Sequence, residues 1–417
     1  MQKLMIVVLS VWIVFALFSF FKVTTSSSLD ENRIKERKFK DIGPPVVNIV
    51  YIKNIKCASE TLTQMLYRFG TSRNLSFVLP RTRKIYLGWP YQIEKGYYVL
   101  EPPPFNLLVD HVVFNATAFA AIMPQDTVYI TSLREPFSHL KSMFNYYALA
   151  KVTNLTNHQE PFRTYLTDMT KYEAIYKSPE ASKYRYCIPS GLSMTRDLMS
   201  FNLGLQTGWD TTHRILPTRQ SIEAFISSIQ SRFSLVLIVE YFNESLILMR
   251  RLLRWTWRDI IFVPQNIGNY TKYRLYDGED LALRKIYQDW SQFDHALYAH
   301  FNATLWRKIA VEGDDFTAEV AAFTQTLNKV RGFCKEIMPS VEALRKNAGN
   351  SADAKKRIED VFFLQLPGNR WDGGFEADVA LCTSLMKTHT QIMREEQDRH
   401  KTTVDIKREP VPPKITC

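Results

Sequence analysis

Three apolar runs of strand character each lead through a short polar turn into a helix with one apolar face, and this alternation constrains the fold more than any other feature. VVNIVYI (46–52) leads into a helix on which Leu62, Met65, Leu66 and Phe69 recur at i, i+3, i+4 and i+7. TVYITSL (127–133) ends at Arg134. Pro136 suits the first turn of the next helix, where Phe137, Leu140 and Phe144 share a face. SLVLIVE (234–240) precedes ESLILMRRLLRW, whose arginines read as a solvated face with an apolar back. FNLLVDHVVF (105–114) supplies a further short strand ending near His111. Strands alternating with helices predict an α/β fold, a largely parallel sheet flanked by helices. Ligands of such sheets bind beyond the carboxyl ends of the strands, where the first loop, His111 and Arg134 all fall.

The first of those turns carries Lys53, Lys56, Ser59 and Thr61. A strand–loop–helix corner of this kind is a ready anion site. The free amides of the helix N-terminus point at the ligand, the dipole favours negative charge, and lysines and hydroxyls add cations and donors. The spacing is neither G-x-x-x-x-G-K-[ST] nor G-x-G-x-x-G, which disfavours an ordinary nucleotide triphosphatase loop and a dinucleotide site. Taken alone, the loop also fits a solvated turn with Ser59 as a plain N-cap.

The remaining sequence describes the compartment. Leu4 to Phe21 is an uncharged apolar run between Lys3 and Lys22, long enough for a membrane-spanning signal-anchor. Residues 1–3 then form a short cytoplasmic tail, and residues 22–44 a polar stem. Residues 45–311 form the main domain, and residues 312–417 a mostly helical C-terminal extension packed on it, with WDGG (371–374) marking a turn and the last residues disordered. Six N-x-S/T sequons, at Asn74, Asn115, Asn154, Asn243, Asn269 and Asn302, fit a lumenal body. The five cysteines leave at least one thiol free or paired between chains. A formal charge of +11 suits anionic partners without choosing among them. Paired carboxylates and metal-spaced His/Cys clusters are absent from the sequence, so no metal is expected, and no acidic motif supports a kinase-like phosphoryl transferase.

The first loop, together with ITSLREPFSHLKSMFNYY (130–147) and LVLIVEYFNESLILMRRLLRW (235–255), resembles the galactose 3-O-sulfotransferase family, which includes galactosylceramide sulfotransferase. The resemblance covers most of residues 46–310 and, more loosely, the C-terminal cysteine pair, Cys334 and Cys382, the expected disulfide. It implies a sulfotransferase fold with a phosphate-loop-like corner and the donor 3′-phosphoadenosine 5′-phosphosulfate (PAPS). It also implies a Golgi membrane protein, single-pass and type II, with a lumenal catalytic domain, acting on galactose-terminated glycolipids or glycoproteins. No nucleic-acid partner is implied, and a homodimer is admitted. By the same resemblance the loop Lys53, Lys56, Cys57, Ala58, Ser59, Glu60 and Thr61 grips the 5′-phosphosulfate. Lys56 stabilises the bridging oxygen, Arg134 and Ser142 bind the 3′-phosphate, and His111 is the base that takes the proton of the sugar hydroxyl. His139 is a further candidate for phosphate contact.

The chain departs from the family pattern at three loop positions. Ile55 replaces the usual histidine, Cys57 the usual threonine, and Glu60 a hydroxyl near the 5′-phosphate. A carboxylate beside a phosphate costs about a kcal/mol or more unless it turns away or pairs with a lysine such as Lys53. The alternative function is therefore a catalytically inactive, membrane-anchored glycan-binding relative.

Overall fold

The computed structural model describes residues 43–99, 103–184, 192–205, 215–264, 281–348 and 352–399. The expected anchor and most of the stem, Cys187, Cys417, Asn269 and the C-terminal tail lie outside the described residues. Among the described residues, no helix is long and apolar enough to cross a membrane.

The sheet has four strands in the order β2-β1-β3-β4, with β1 Ile49–Ile52, β2 Leu107–Leu108, β3 Val128–Leu133 and β4 Leu235–Ile238. Every pairing is parallel, with Val50 opposite Leu108, Ile52 opposite Thr131, and Ile130 opposite Leu235. β1 and β4 are buried along their whole length, which explains why both read as continuous apolar runs rather than alternating ones. The chain leaves β1 for β2 on one side and returns to β3 on the other. The topological switch point therefore lies between β1 and β3, where a ligand of such a sheet is expected.

Helices flank the sheet: α1 (Ser59–Thr71) after β1, α2 (Pro136–Tyr146) after β3, and α3 (Phe242–Leu253) after β4. Glu135 caps α2 by accepting from the amides of Phe137 and Ser138 (3.1 and 2.7 Å), and Pro136 occupies the first helical turn.

The extension is more than a helical appendage. A helix of 34 residues, α4 (Asp315–Ala348), is followed by an antiparallel hairpin, β5 (Phe363–Pro367) with β6 (Gly374–Asp378), and by helices α5 (Val379–Met386) and α6 (His389–Arg399). WDGG forms the hairpin turn, and the hairpin itself is an element the sequence reading lacks. Phe323, Val330, Leu385 and Met393 of the extension belong to the same buried cluster as Tyr51 and Leu66 of the sheet layer. Cys334 on α4 and Cys382 on α5 are joined in a disulfide, with Cα atoms 5.2 Å apart.

The solvated face expected for MRRLLRW is wrong in part. Arg250 is buried and donates to Glu319 at 3.0 Å, and Arg251 pairs with Glu319 and Glu312. Glu319 is fully buried on α4, so these arginines lock α3 to the extension rather than facing water. The sequence reading placed them in solvent because their counterion lies 68 and 69 residues downstream.

Candidate functional site

The loop between β1 and α1 is set by its neighbours on β3. Thr131 Oγ1 donates to the Ile52 carbonyl (2.9 Å) and Ser132 Oγ to the Cys57 carbonyl (2.7 Å). The Asn54 amide donates to the Ser132 carbonyl at 3.0 Å. From α2, His139 Nε2 meets the Ile55 carbonyl at 2.8 Å, and burial lowers the His139 pKa to about 4. The neutral ring therefore donates this hydrogen bond. His139 is spent on holding the loop, which corrects its reading as a phosphate contact.

So clamped, the loop adopts two left-handed residues without glycine, Lys56 at φ 61° and Ala58 at φ 54°. Such conformations cost about 1–3 kcal/mol each and cluster at ligand clamps. Ala58 is the N-cap of α1 and offers no side-chain cap, so the alternative of Ser59 as N-cap does not hold. The first-turn amides of a helix have no intrahelical partner, and such amides are the donors that anions meet at a corner of this kind. Ser59 and Thr61 lie at this end, largely buried. The Lys56 ammonium stands 4.0 Å over the Tyr146 ring of α2, beside the same corner.

Arg134, at the end of β3, donates to the Lys56 carbonyl at 3.4 Å, so the two strand-to-helix corners meet. Ser142 lies two turns along α2 with its side chain buried. On the other side of the loop, continuation of the β1–β2 register sets His111 beside Lys53, and His111 hydrogen-bonds the Lys53 main chain. Burial, with Lys53 and His389 nearby, holds its pKa well below the usual histidine value, so the ring is neutral. Its Nδ1 is buried without a hydrogen-bond partner. Tyr86 and Trp89 flank the ring, with centroids 5.6 and 6.3 Å away. The adjacent Asp110 is fully buried and accepts from the Tyr67 hydroxyl. Burial raises its pKa against the opposing pull of His389, Lys53 and that hydrogen bond.

Three loop side chains, Cys57, Glu60 and Lys53, are engaged away from the corner. The Cys57 thiol is fully buried, and its main chain is engaged by Ser132 and the Asn54 carbonyl, which corrects its reading as a ligand contact. The Glu60 carboxylate pairs with His389 Nδ1, and His389 Nε2 lies 3.0 Å from Lys53 Nζ. Lys53 is itself nearly fully buried, its ammonium engaged with His389. His389 was invisible to sequence reasoning, since it lies 336 residues from Lys53 in a polar helix with no motif around it.

This donor set fits a phosphate or sulfate: two cations, open amides and two hydroxyls at a helix N-terminus. Among the described residues, no group of three or more His, Cys, Asp or Glu is arranged to hold a metal ion. Fold and corner together define a parallel α/β protein with a cationic strand-to-helix corner at its switch point.

The chain belongs to the galactose-3-O-sulfotransferase family, a family of enzymes, whose sequence model matches residues 1–356. It is 31% identical over 328 residues to galactose-3-O-sulfotransferase 2 of Sus scrofa, covering 76% of this chain and 74% of that protein. It is 30% identical over 304 residues to galactosylceramide sulfotransferase of Homo sapiens, covering 72% of this chain and 66% of that protein. Galactose-3-O-sulfotransferase 3 of Bos taurus is 26% identical over 367 residues, covering 85% of this chain and 80% of that protein.

Proposed function

We propose that this chain transfers sulfate from PAPS to a hydroxyl, the 3-hydroxyl, of a terminal galactose-like sugar on a glycolipid or glycoprotein. The observation that carries this reading is the meeting of the two corners, with the Arg134 guanidinium against the main chain of Lys56. The amides and hydroxyls of Ser59 and Thr61 hold the 5′-phosphate end. Arg134 and Ser142 hold the 3′-phosphate, for which the planar fork of arginine is suited. Bound PAPS supplies an electrophilic sulfur and a phosphate leaving group. Lys56 fixes a positive charge where negative charge develops during transfer, and a preorganised cation there lowers the barrier.

His111 is the base. Its neutral ring can accept the proton of the sugar hydroxyl, a weak nucleophile that needs such help. Tyr86 and Trp89 give the acceptor side apolar ring faces on which a pyranose can lie. The inactive alternative drew its support from Glu60, whose carboxylate is held by His389 rather than turned to the corner.

The sequons and the apolar run at residues 4–21 support a type II Golgi protein with its body in the lumen. Asn74 and Asn154 are exposed. Asn115 and Asn243 engage their amides in hydrogen bonds to Gln92 and Thr324.

Radiolabelled sulfate transfer to a panel of galactose-terminated acceptors tests the reading. Transfer is expected, and it is lost when the galactose 3-hydroxyl is methylated. No transfer to any galactose acceptor overturns the activity. Arg134→Ala is expected to weaken binding of adenosine 3′,5′-bisphosphate about 10- to 100-fold by calorimetry. An unchanged affinity removes Arg134 from the site.

A further inference from the structure

Glu60 lies in the first turn of α1, where the family pattern carries a hydroxyl near the phosphate and where a carboxylate repels an anion. Its side chain is only 21% exposed, and it faces His389, whose side chain is 1% exposed. A protonated Lys53 has hydrogens to donate and no lone pair, so His389 Nε2 accepts from Lys53 Nζ at 3.0 Å. That leaves Nδ1 carrying the proton, which it donates to Glu60. The three side chains form a line from anion to cation through one imidazole. Burial works against the carboxylate's charge, but His389 and Lys53 together hold its pKa below the usual value. His389 belongs to α6, beyond residue 356 where the family match ends. Thr71 on α1 donates to Glu396 on α6 (2.7 Å), and Gln64 on α1 to the Ser384 carbonyl (2.8 Å), so the histidine is delivered by a docked segment.

We propose that His389 is a positioning residue for the anion corner: it draws the Glu60 carboxylate out of the phosphate's place and ties it to Lys53, so that a loop containing a carboxylate still accepts a nucleotide phosphate. The proposal rests on the nucleotide-binding part of the function given above. It accounts for two features at once, the glutamate in the loop and a buried histidine arriving from the C-terminal extension.

The test is calorimetric titration of adenosine 3′,5′-bisphosphate into the full chain and into His389→Ala, Glu60→Gln and the double variant, with thermal melts recorded without ligand. His389→Ala frees the carboxylate and is expected to weaken binding about tenfold or more. Adding Glu60→Gln to that background removes the repulsion and restores most of the loss, a rescue that a merely structural histidine does not give. Wild-type affinity in His389→Ala, or a double variant no better than His389→Ala, overturns the proposal. Where His389→Ala does not fold, the double variant is compared with Glu60→Gln. Equal affinity supports the proposal, and about tenfold weaker binding in the double variant overturns it, because the histidine then matters without the carboxylate. Failure of the wild-type chain to bind the nucleotide overturns the donor reading itself, and the proposal with it.

Discussion

Lys56 holds a left-handed backbone at the point where its carbonyl meets the Arg134 guanidinium. Lys56→Ala is expected to reduce sulfate transfer by at least about 100-fold while leaving the melting temperature nearly unchanged. Retained turnover in a radiolabel assay refutes its role. His139 gives a prediction in pH. Its folded pKa of about 4 lies below the unfolded histidine value of about 6.5, so the unfolded state binds more protons between these limits. Its contribution to stability is therefore complete above about pH 6.5 and is lost as pH falls toward 4, an effect of about 3 kcal/mol. Denaturant midpoints measured across that window should fall with acidification in the wild type and fall less steeply in His139→Gln, where buried His111 still contributes. Of these residues the sequence showed Lys56 and Arg134 directly, because each sits at a strand end beside a helix start. It could not show that His139 serves the loop, since the Ile55 carbonyl it meets is a main-chain atom with no sequence signature.

The elements that read most clearly were those buried on both faces. IVYI and LVLI announced themselves as strands because nothing polar interrupts them. The hairpin β5–β6 was missed because FLQLP and GFEAD are short and bury one residue each, carrying only the WDGG turn as a marker. Helix α3 was legible as a helix but not in its contacts. Its arginines needed Glu319, and the pairing of distant elements is not written locally. Glu319→Ala is expected to lower stability by about 3–5 kcal/mol in urea unfolding, because Arg250 would remain buried without its counterion. A loss below about 1 kcal/mol would show that water reaches the pair.

Over the whole molecule, one core runs from the sheet into the extension, and the disulfide fastens α4 to α5 across 48 residues. Replacing Cys334 and Cys382 with serine is expected to lower stability by about 2–4 kcal/mol, read as a lower melting temperature that added reductant no longer changes. An unchanged melting temperature would show that packing alone seats the extension. The parallel sheet and the two corners at its carboxyl edge were readable from alternation and strand ends, whereas the docking of the extension on the first loop and its helix depends on contacts that span most of the chain. This docking has a consequence in time. Lys53 leaves the ribosome 336 residues ahead of His389, an interval of about 20 to 70 seconds at ordinary rates of synthesis. A product halted after the hairpin carries every strand of the sheet, yet its Glu60 is still unattended. To a chaperone it would look finished, although the loop proposed to hold phosphate is not.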